Sequence, residues 1–255
     1  MKLKRVIIIL IIIFITWIAL IRKRGFRKQG FSQGDKSWIR RILGEVYVIS
    51  LPERKQGVLE TLKKLDIVPN VYDAFLKKNI NRDELIEIGF LSSRSKLRDA
   101  QIACHYSHIA VLKKFLKSKH ETSLIFEDDI VSSLSPGDLQ TELKKVMNNA
   151  KYLDYDIISL GRCFDICRPG SERVGNLVKV IYPRCMHAYI VNRKGAQKII
   201  DLTVPLYDLP GDEVLPRAIS NGLLNYYASE ENLFLQNRED YGSTLGNGGA
   251  LPKCS

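Results

Sequence analysis

A short apolar stretch that ends in three adjacent carboxylates constrains the fold of this chain more than any other feature. Residues Leu124–Asp129 read Leu-Ile-Phe-Glu-Asp-Asp. A run of this kind is typical of a buried strand in an α/β sheet, and the ligands of such sheets bind beyond the carboxyl ends of the strands. The sequence therefore predicts a strand that delivers acidic side chains to an edge of the sheet where binding sites form.

The three carboxylates repel one another unless a cation or a proton compensates their charge. All-oxygen ligands suit Mn²⁺ or Mg²⁺, and these cations in turn bind phosphate oxygens. Because side chains alternate in direction along a strand, we expect Glu127 and Asp129 to point to one side and hold a metal on a diphosphate. Asp128 should point to the other side. The alternative is a solvated acidic loop that caps the next helix.

Segments with strand and helix patterns alternate along the chain. Glu45–Ser50 alternates as a strand does, and Gln101–Lys117 carries apolar residues at helical spacing, with Asp99 as its expected N-cap. Further helices are expected after Pro136 and over Glu213–Ser220. This order predicts an α/β fold with a mostly parallel central sheet.

The N-terminus predicts a membrane anchor. Val6–Ile21 is apolar except for Thr16, and basic residues flank both ends of this run. At about 1.5 Å per residue the run spans about 24 Å, enough for a thin bilayer. No small-residue cleavage site precedes Arg22, so we expect a single-pass anchor rather than a removed signal peptide. Its orientation stays open, because the flanking charges do not differ in sign.

The basic charge is concentrated beside this anchor. The formal net charge is +11, and the first 28 residues carry eight basic residues and no acidic ones. The remaining 227 residues are close to neutral at +3. This distribution suits anionic lipid headgroups and argues against a nucleic-acid partner. We expect four regions, which are a membrane anchor with basic flanks (1–28), a stem (29–43), a catalytic domain (44–245) and a flexible tail (246–255).

The five cysteines do not indicate a disulfide framework or a zinc site, because their number is odd and no pair has C-x-x-C spacing. Cys163 and Cys167 could pair in an oxidising compartment, and two ordinary thiols are the alternative.

Several segments together resemble glycosyltransferase family 25, which contains bacterial lipooligosaccharide galactosyltransferases, collagen galactosyltransferases and viral relatives. The resemblance covers roughly residues 44–245. It departs from the family pattern at Ser50, Gln101 and Ala103, where Asn, Glu and Gly are usual. The segments that carry it are Val46–Leu51 with Arg54, Gln101–His108, Leu124–Ile130, His187–Val191 with Gly195 and Ala196, Asp212, and Gln236 with Ser243.

The resemblance implies a GT-A type nucleotide-sugar-binding fold and inverting transfer of a hexose, galactose or glucose, from a UDP-sugar. It implies a glycan, lipooligosaccharide or glycoprotein acceptor. A metal at Glu127 and Asp129 would neutralise charge on the leaving nucleotide. Inversion also needs a base for the acceptor hydroxyl, and Asp212 and Glu213 are the candidates. An N-cap role for Asp212 is the alternative.

Three further residues are candidates for binding the donor. Arg54 could meet the nucleotide, or it could cap a helix. His108 could contact a ligand, or it could form a structural pair with Ser107. Asp128 completes this group. Two other functions stay open, an inactive relative that acts as an adhesion or scaffold protein, and a metal-dependent phosphoesterase.

Overall fold

The computed structural model describes residues 38–162, 164–166 and 170–237, which form an α/β unit. The helices are α1 (Trp38–Leu43), α2 (Lys55–Lys64), α3 (Arg82–Glu87), α4 (Asp99–Leu116), α5 (Pro136–Ala150), α6 (Arg193–Thr203) and α7 (Gly211–Ser220), with a 3₁₀ turn at Lys77–Asn79. The strands are β1 (Glu45–Ser50), β2 (Asn70–Asp73), β3 (Thr122–Phe126), β4 (Ile130–Val131), β5 (Ile157–Ser159), β6 (Phe164–Ile166), β7 (Arg173–Val174), β8 (Leu177–Lys179), β9 (Tyr182–Arg184), β10 (Ala188–Asn192), β11 (Tyr226–Ser229) and β12 (Leu235–Gln236).

Eight of the described strands form the central sheet, in the order β2-β1-β3-β10-β5-β11-β8-β7. β1 pairs in parallel with β2 and β3, and β5 pairs in parallel with β11, as the sequence predicts. β10 runs antiparallel between β3 and β5, and β8 pairs antiparallel with β11 and β7. The sheet is therefore mixed. Between β5 and its neighbour β10 the chain forms β6–β9, and the described part of this connection contains no helix of the kind that a parallel crossover usually uses.

The two central strands are buried on both faces, which explains their nearly continuous apolar sequences. Val46 and Val48 of β1 pack with Leu124 of β3 in one core layer. Tyr47 and Ile125 point the opposite way and pack in the second layer. The alternation of side chains thus supplies two cores at once, one on each face of the sheet.

Helix α4 begins one residue earlier than its expected cap predicts. Arg98, in extended conformation, occupies the N-cap position, and its N–H donates to Gln101 Oε1 at 3.0 Å. Asp99 is the first helical residue and pairs with Arg82 at 3.2 Å, so the prediction that Asp99 is the N-cap is wrong. The reason is that Gln101, three residues after the cap, reaches back to the cap N–H, as in a capping box.

The N-terminal boundary of the described unit falls within the predicted stem. Residues 38–43 form α1, and Trp38, Ile39 and Leu43 are buried in the core. Among the helices that the structure describes, none has the length and hydrophobicity needed to cross a membrane. The predicted anchor at Val6–Ile21 and the predicted tail at 246–255 lie outside the described residues. Both stay predictions.

The two cysteines that the structure describes differ in chemical state. Cys185 is disulfide-bonded, whereas Cys104 is not. Nothing in the spacing of the cysteines indicates the bond at Cys185, since sequence separation does not reveal which strands lie side by side. Cys163 and Cys167, whose pairing was left open, lie outside the described residues.

Candidate active site

A cavity of about 550 Å³ opens where β1, β2 and β3 end. β1 lies between the other two strands, so the chain leaves β1 at a point where the strand order reverses. Ligands of open α/β sheets bind in the crevice at such a point. The cavity is lined by the segments after β1 and β2, by one face of α4, by the acidic residues after β3, and by Gln236 of β12.

The acidic residues lie in a turn and not on the strand itself. β3 ends at Phe126, and Glu127, Asp128 and Asp129 connect it to β4. The expected alternation therefore does not hold, because the period of two applies only within a strand. All three side chains line the same cavity. Arg54 and His108 line it as well, so five predicted site residues lie together.

Asp128 is held by the segment that follows β1. Its Oδ2 accepts a hydrogen bond from Leu51 N–H at 2.7 Å, and its Oδ1 lies 3.3 Å from Arg54 Nη1. Burial raises the pKa of the Asp128 carboxyl, and these two partners partly offset the effect. Arg54, predicted to bind the nucleotide, is thus placed at the cavity by the acidic turn.

Asp129 is the least compensated of the three carboxylates. Gln236 Nε2 donates to its Oδ2 at 3.2 Å, because β12 pairs with β4 and brings Gln236 beside the turn. Its Oδ1 is buried and has no hydrogen-bond partner among the described residues. Burial, with repulsion from Glu127 and Asp128, raises the pKa of the Asp129 carboxyl from 3.8 to about 7. A group at this position is well suited to bind a cation.

Glu127 is paired with a histidine that a buried tyrosine orients. His108 Nε2 lies 3.1 Å from Glu127 Oε1, and His108 Nδ1 lies 3.1 Å from the Tyr189 hydroxyl. Burial alone would raise the pKa of the Glu127 carboxyl. The hydrogen bond and charge of His108, with the charges of His187 and Arg54, outweigh burial and hold this pKa below its usual value.

The segment after β2 adds cationic side chains to the cavity. Phe75 N–H donates to Ser107 Oγ at 2.8 Å, which ties this segment to α4. Lys77 and Lys78 follow in the 3₁₀ turn and line the cavity with exposed side chains. Together with Arg54, they give the cavity a positive region beside the acidic turn. Such a combination can hold both a cation and the phosphates that the cation binds.

The predicted bases, Asp212 and Glu213, are neighbours on one helix. Both belong to the first turn of α7, and none of the described residues that line the cavity comes from this helix. Glu213 Oε2 accepts a hydrogen bond from the Tyr182 hydroxyl at 3.2 Å. The side chain of Asp212 lies outside what the structure describes. A Cβ on Gly211 would lie 2.2 Å from His105 Nδ1, so α7 begins directly against α4.

Three site residues, Tyr189, Gln236 and Cys104, had no role in the sequence prediction, and Ser107 was named only as a possible structural partner of His108, although all four lie within the segments that carry the resemblance. Ser107 anchors the segment after β2, Tyr189 orients His108, Gln236 contacts Asp129, and Cys104 lines the cavity beside His108. Their presence in motif segments was the available signal. Their contacts could not be predicted from local sequence, because residues such as Gln236 and Asp129 are 107 residues apart in the chain.

Comparison with known proteins identifies the family of this chain. The family model described as "Glycosyltransferase family 25 (LPS biosynthesis protein)" matches residues 44–215, which include β1, α4 and the acidic turn. The chain belongs to glycosyltransferase family 25. Family membership confirms the resemblance that the sequence motifs indicate, and it supports transferase activity of the glycosyltransferase type.

Its curated relatives are considerably longer proteins. Procollagen galactosyltransferase 2 of Homo sapiens is 30% identical over 189 residues, which cover 68% of this chain and 30% of the relative. Procollagen galactosyltransferase 1-A of Xenopus laevis is 28% identical over 200 residues, covering 72% and 32%. A glycosyltransferase 25 family member of Drosophila melanogaster is 27% identical over 189 residues, covering 68% and 30%. The chain thus spans about a third of the length of these relatives.

Proposed function

We propose that this chain is an inverting glycosyltransferase with a GT-A type fold. It transfers a hexose, galactose or glucose, from a UDP-sugar to a glycan, lipooligosaccharide or glycoprotein acceptor. Family membership supports glycosyl transfer, and the names of two relatives support galactose as the hexose. The cavity at the ends of the parallel strands supports a nucleotide ligand.

Asp129 carries the observation on which this proposal most depends. Its Oδ1 is buried without a hydrogen-bond partner in the described part of the chain, and burial, together with repulsion from two neighbouring carboxylates, raises the pKa of Asp129 to about 7. A divalent cation would supply both the missing partner and the missing positive charge. The residues present therefore fit Mn²⁺ or Mg²⁺, held by Glu127 and Asp129.

When bound, such a cation neutralises negative charge on the departing diphosphate. The other side chains of the cavity position the donor. Lys77 and Lys78 add positive charge for the phosphates, and Arg54, which pairs with Asp128 and lines the same cavity, is a further phosphate ligand. Asp128 orients Arg54 and, through Leu51 N–H, fixes the segment that closes the cavity after β1.

The general base acts on the acceptor side. Inversion by a single displacement needs a carboxylate that accepts the proton of the acceptor hydroxyl, opposite the departing diphosphate. Asp212 is our first candidate and Glu213 the second, since Glu213 already accepts a hydrogen bond from Tyr182. The contact of Gly211 with His105 supports this assignment, because it sets the start of α7 against the helix that lines the cavity.

A panel of nucleotide sugars tests the proposal. We expect one UDP-hexose to be hydrolysed slowly in the presence of Mn²⁺ and to be transferred faster when an acceptor is added. EDTA and the variant Asp129→Asn should each abolish this activity. Glu60→Gln is the matched control, because it removes one carboxylate charge from an exposed position on α2, outside the cavity.

Two outcomes would favour the other functions. A folded protein that binds neither UDP nor Mn²⁺ would indicate an inactive relative with an adhesion or scaffold role. Release of inorganic phosphate without sugar transfer would indicate a phosphoesterase. Either outcome would contradict the assignment of the cavity as a UDP-sugar site.

A further inference from the structure

Cys104 lines the same cavity as the acidic turn, and no step proposed above uses it. It lies one helical turn before His108 on α4, so both side chains project from the same face of the helix. One ligand atom each from Cys104, His108 and Glu127 lie within 4.8 Å of one another. Three side chains from two elements of the fold thus converge on one point.

The histidine in this group is already oriented for metal binding. Its Nδ1 lies 3.1 Å from the hydroxyl of Tyr189, which is only 1% exposed, and the two rings stack at 5.9 Å. Its Nε2 therefore faces Glu127, at 3.1 Å from Oε1. Histidines that bind metals show this arrangement, in which one nitrogen contacts the metal and the other is hydrogen-bonded to a group that fixes the ring.

The chemistry of this group differs from that of the acidic turn. A cysteine thiolate and an imidazole are softer ligands than carboxylate oxygens, and they favour Zn²⁺ over Mn²⁺ or Mg²⁺. Three protein ligands are also the number found in zinc sites that keep one coordination position open. Here all three side chains line the cavity.

We propose that Cys104, His108 and Glu127 form a binding site for a thiophilic divalent cation of the Zn²⁺ class. His108 binds the cation through Nε2 as the neutral tautomer that carries its hydrogen on Nδ1, where that hydrogen faces the Tyr189 hydroxyl, and any second ring proton passes to solvent. The Cys104 thiol also releases its proton to solvent as it becomes a thiolate ligand. This site is separate from the oxygen-only pair of Glu127 and Asp129 in its ligand chemistry, but the two share Glu127.

Sharing one carboxylate couples the two sites. A cation bound to Cys104 and His108 engages Glu127 and leaves Asp129 alone to hold the metal on the diphosphate. Zn²⁺ should therefore inhibit transfer that Mn²⁺ supports. This coupling rests on the proposed function, whereas the binding site itself rests only on the three side chains and Tyr189.

Titration of the full chain with Co²⁺ tests the site directly. Co²⁺ replaces Zn²⁺ and gives a thiolate-to-metal charge-transfer band and the visible bands of a tetrahedral ion. We expect both in the wild type, with Zn²⁺ displacing the Co²⁺ signal. Cys104→Ser should remove the charge-transfer band and weaken binding at least about 10²-fold. Tyr189→Phe should keep the band and weaken binding about 10–100-fold, because the ring loses its anchor.

The controls separate this site from the acidic turn and from other thiols. Asp129→Asn should keep the charge-transfer band, and its loss in that variant would overturn the proposal of a separate site. A wild type without the band would overturn the proposal, and so would a band that persists in Cys104→Ser. Cys104→Ala and His108→Asn repeat the test if the serine variant does not fold.

Binding of UDP with Mn²⁺, measured on the same samples, distinguishes the two proposals. A Co²⁺–thiolate band without UDP binding would refute the proposed function and leave the thiophilic site standing. UDP binding without the band would refute the thiophilic site and leave the proposed function standing. Zn²⁺ inhibition is measured for each variant against its own rate without zinc. Equal inhibition of wild type and Cys104→Ser would refute the coupling.

Discussion

Replacing Asp129 by asparagine should stabilise the metal-free protein while it removes the response of the protein to Mn²⁺. Burial, and then repulsion from Glu127 and Asp128, raises the pKa of this carboxyl from 3.8 to about 7. The unfolded chain has the ordinary value, so at intermediate pH the folded state binds a proton that the unfolded state has released. The free energy of unfolding therefore falls as the pH rises from about 4 to about 7.

The size of the effect follows from these values. Each pKa unit corresponds to about 1.36 kcal/mol. The raised pKa of Asp129 therefore destabilises the metal-free fold by about 4 kcal/mol at pH 8, and by less than about 1 kcal/mol at pH 4. Asparagine carries no charge, and its amide oxygen can still accept the hydrogen bond of Gln236. We expect Asp129→Asn to raise the free energy of unfolding by about 2–4 kcal/mol at pH 8.

Urea unfolding in EDTA at pH 8 and pH 4 measures this difference, and repetition with UDP and Mn²⁺ measures the metal response. The wild type should be stabilised by UDP and Mn²⁺, and Asp129→Asn should not. Asp128→Asn is the matched control. It removes the neighbouring carboxylate charge, which Leu51 N–H and Arg54 partly compensate, so we expect a smaller gain than in Asp129→Asn. An Asp129→Asn protein less stable than wild type in EDTA at pH 8 would refute the argument.

The remaining predictions concern the base, the anchor and a buried histidine. Asp212→Asn should lower kcat for transfer about 10²–10⁴-fold with UDP–Mn²⁺ affinity near wild type, and a collapse of both would make Asp212 a donor or metal ligand instead. Full-length protein should resist carbonate extraction from membranes through Val6–Ile21, and recovery in the soluble fraction would contradict the anchor. Burial lowers the pKa of His105 to about 3, so the fold loses stability as the pH falls below about 6.5. Between pH 7.5 and pH 5.5 this loss should be about 1.4 kcal/mol smaller in His105→Gln, measured by urea unfolding, and equal losses would count against a neutral buried His105.

The central part of the fold follows from local sequence. β1 and β3 are nearly continuously apolar, and their side chains alternate between two core layers. This pattern is typical of a strand that is buried on both faces. Parallel strands that lie side by side bring the residues after their carboxyl ends together. Arg54 and the acidic turn therefore meet for a reason that the sequence contains.

The rest depends on pairings that local patterns do not encode. β4 and β12 have two residues each, too few to show a period, yet their pairing sets Gln236 beside Asp129. Tyr189 reaches His108 because β10 runs antiparallel beside β3, and the sequence predicts a mostly parallel sheet. The alternation predicted for the acidic residues was wrong because the strand ends one residue before Glu127.

The three carboxylates share a sign and a location, so their different partners decide what each can do. Asp128 accepts a hydrogen bond from a backbone N–H and pairs with an arginine, and these contacts tie the turn to the segment after β1. Glu127 has a histidine that a buried hydroxyl orients. Asp129 accepts one hydrogen bond, from the side-chain amide of Gln236, and its other oxygen is buried without a partner in the described residues. Because a fold selected only for stability would compensate or remove that third charge, its presence supports our proposal that a bound cation completes the site.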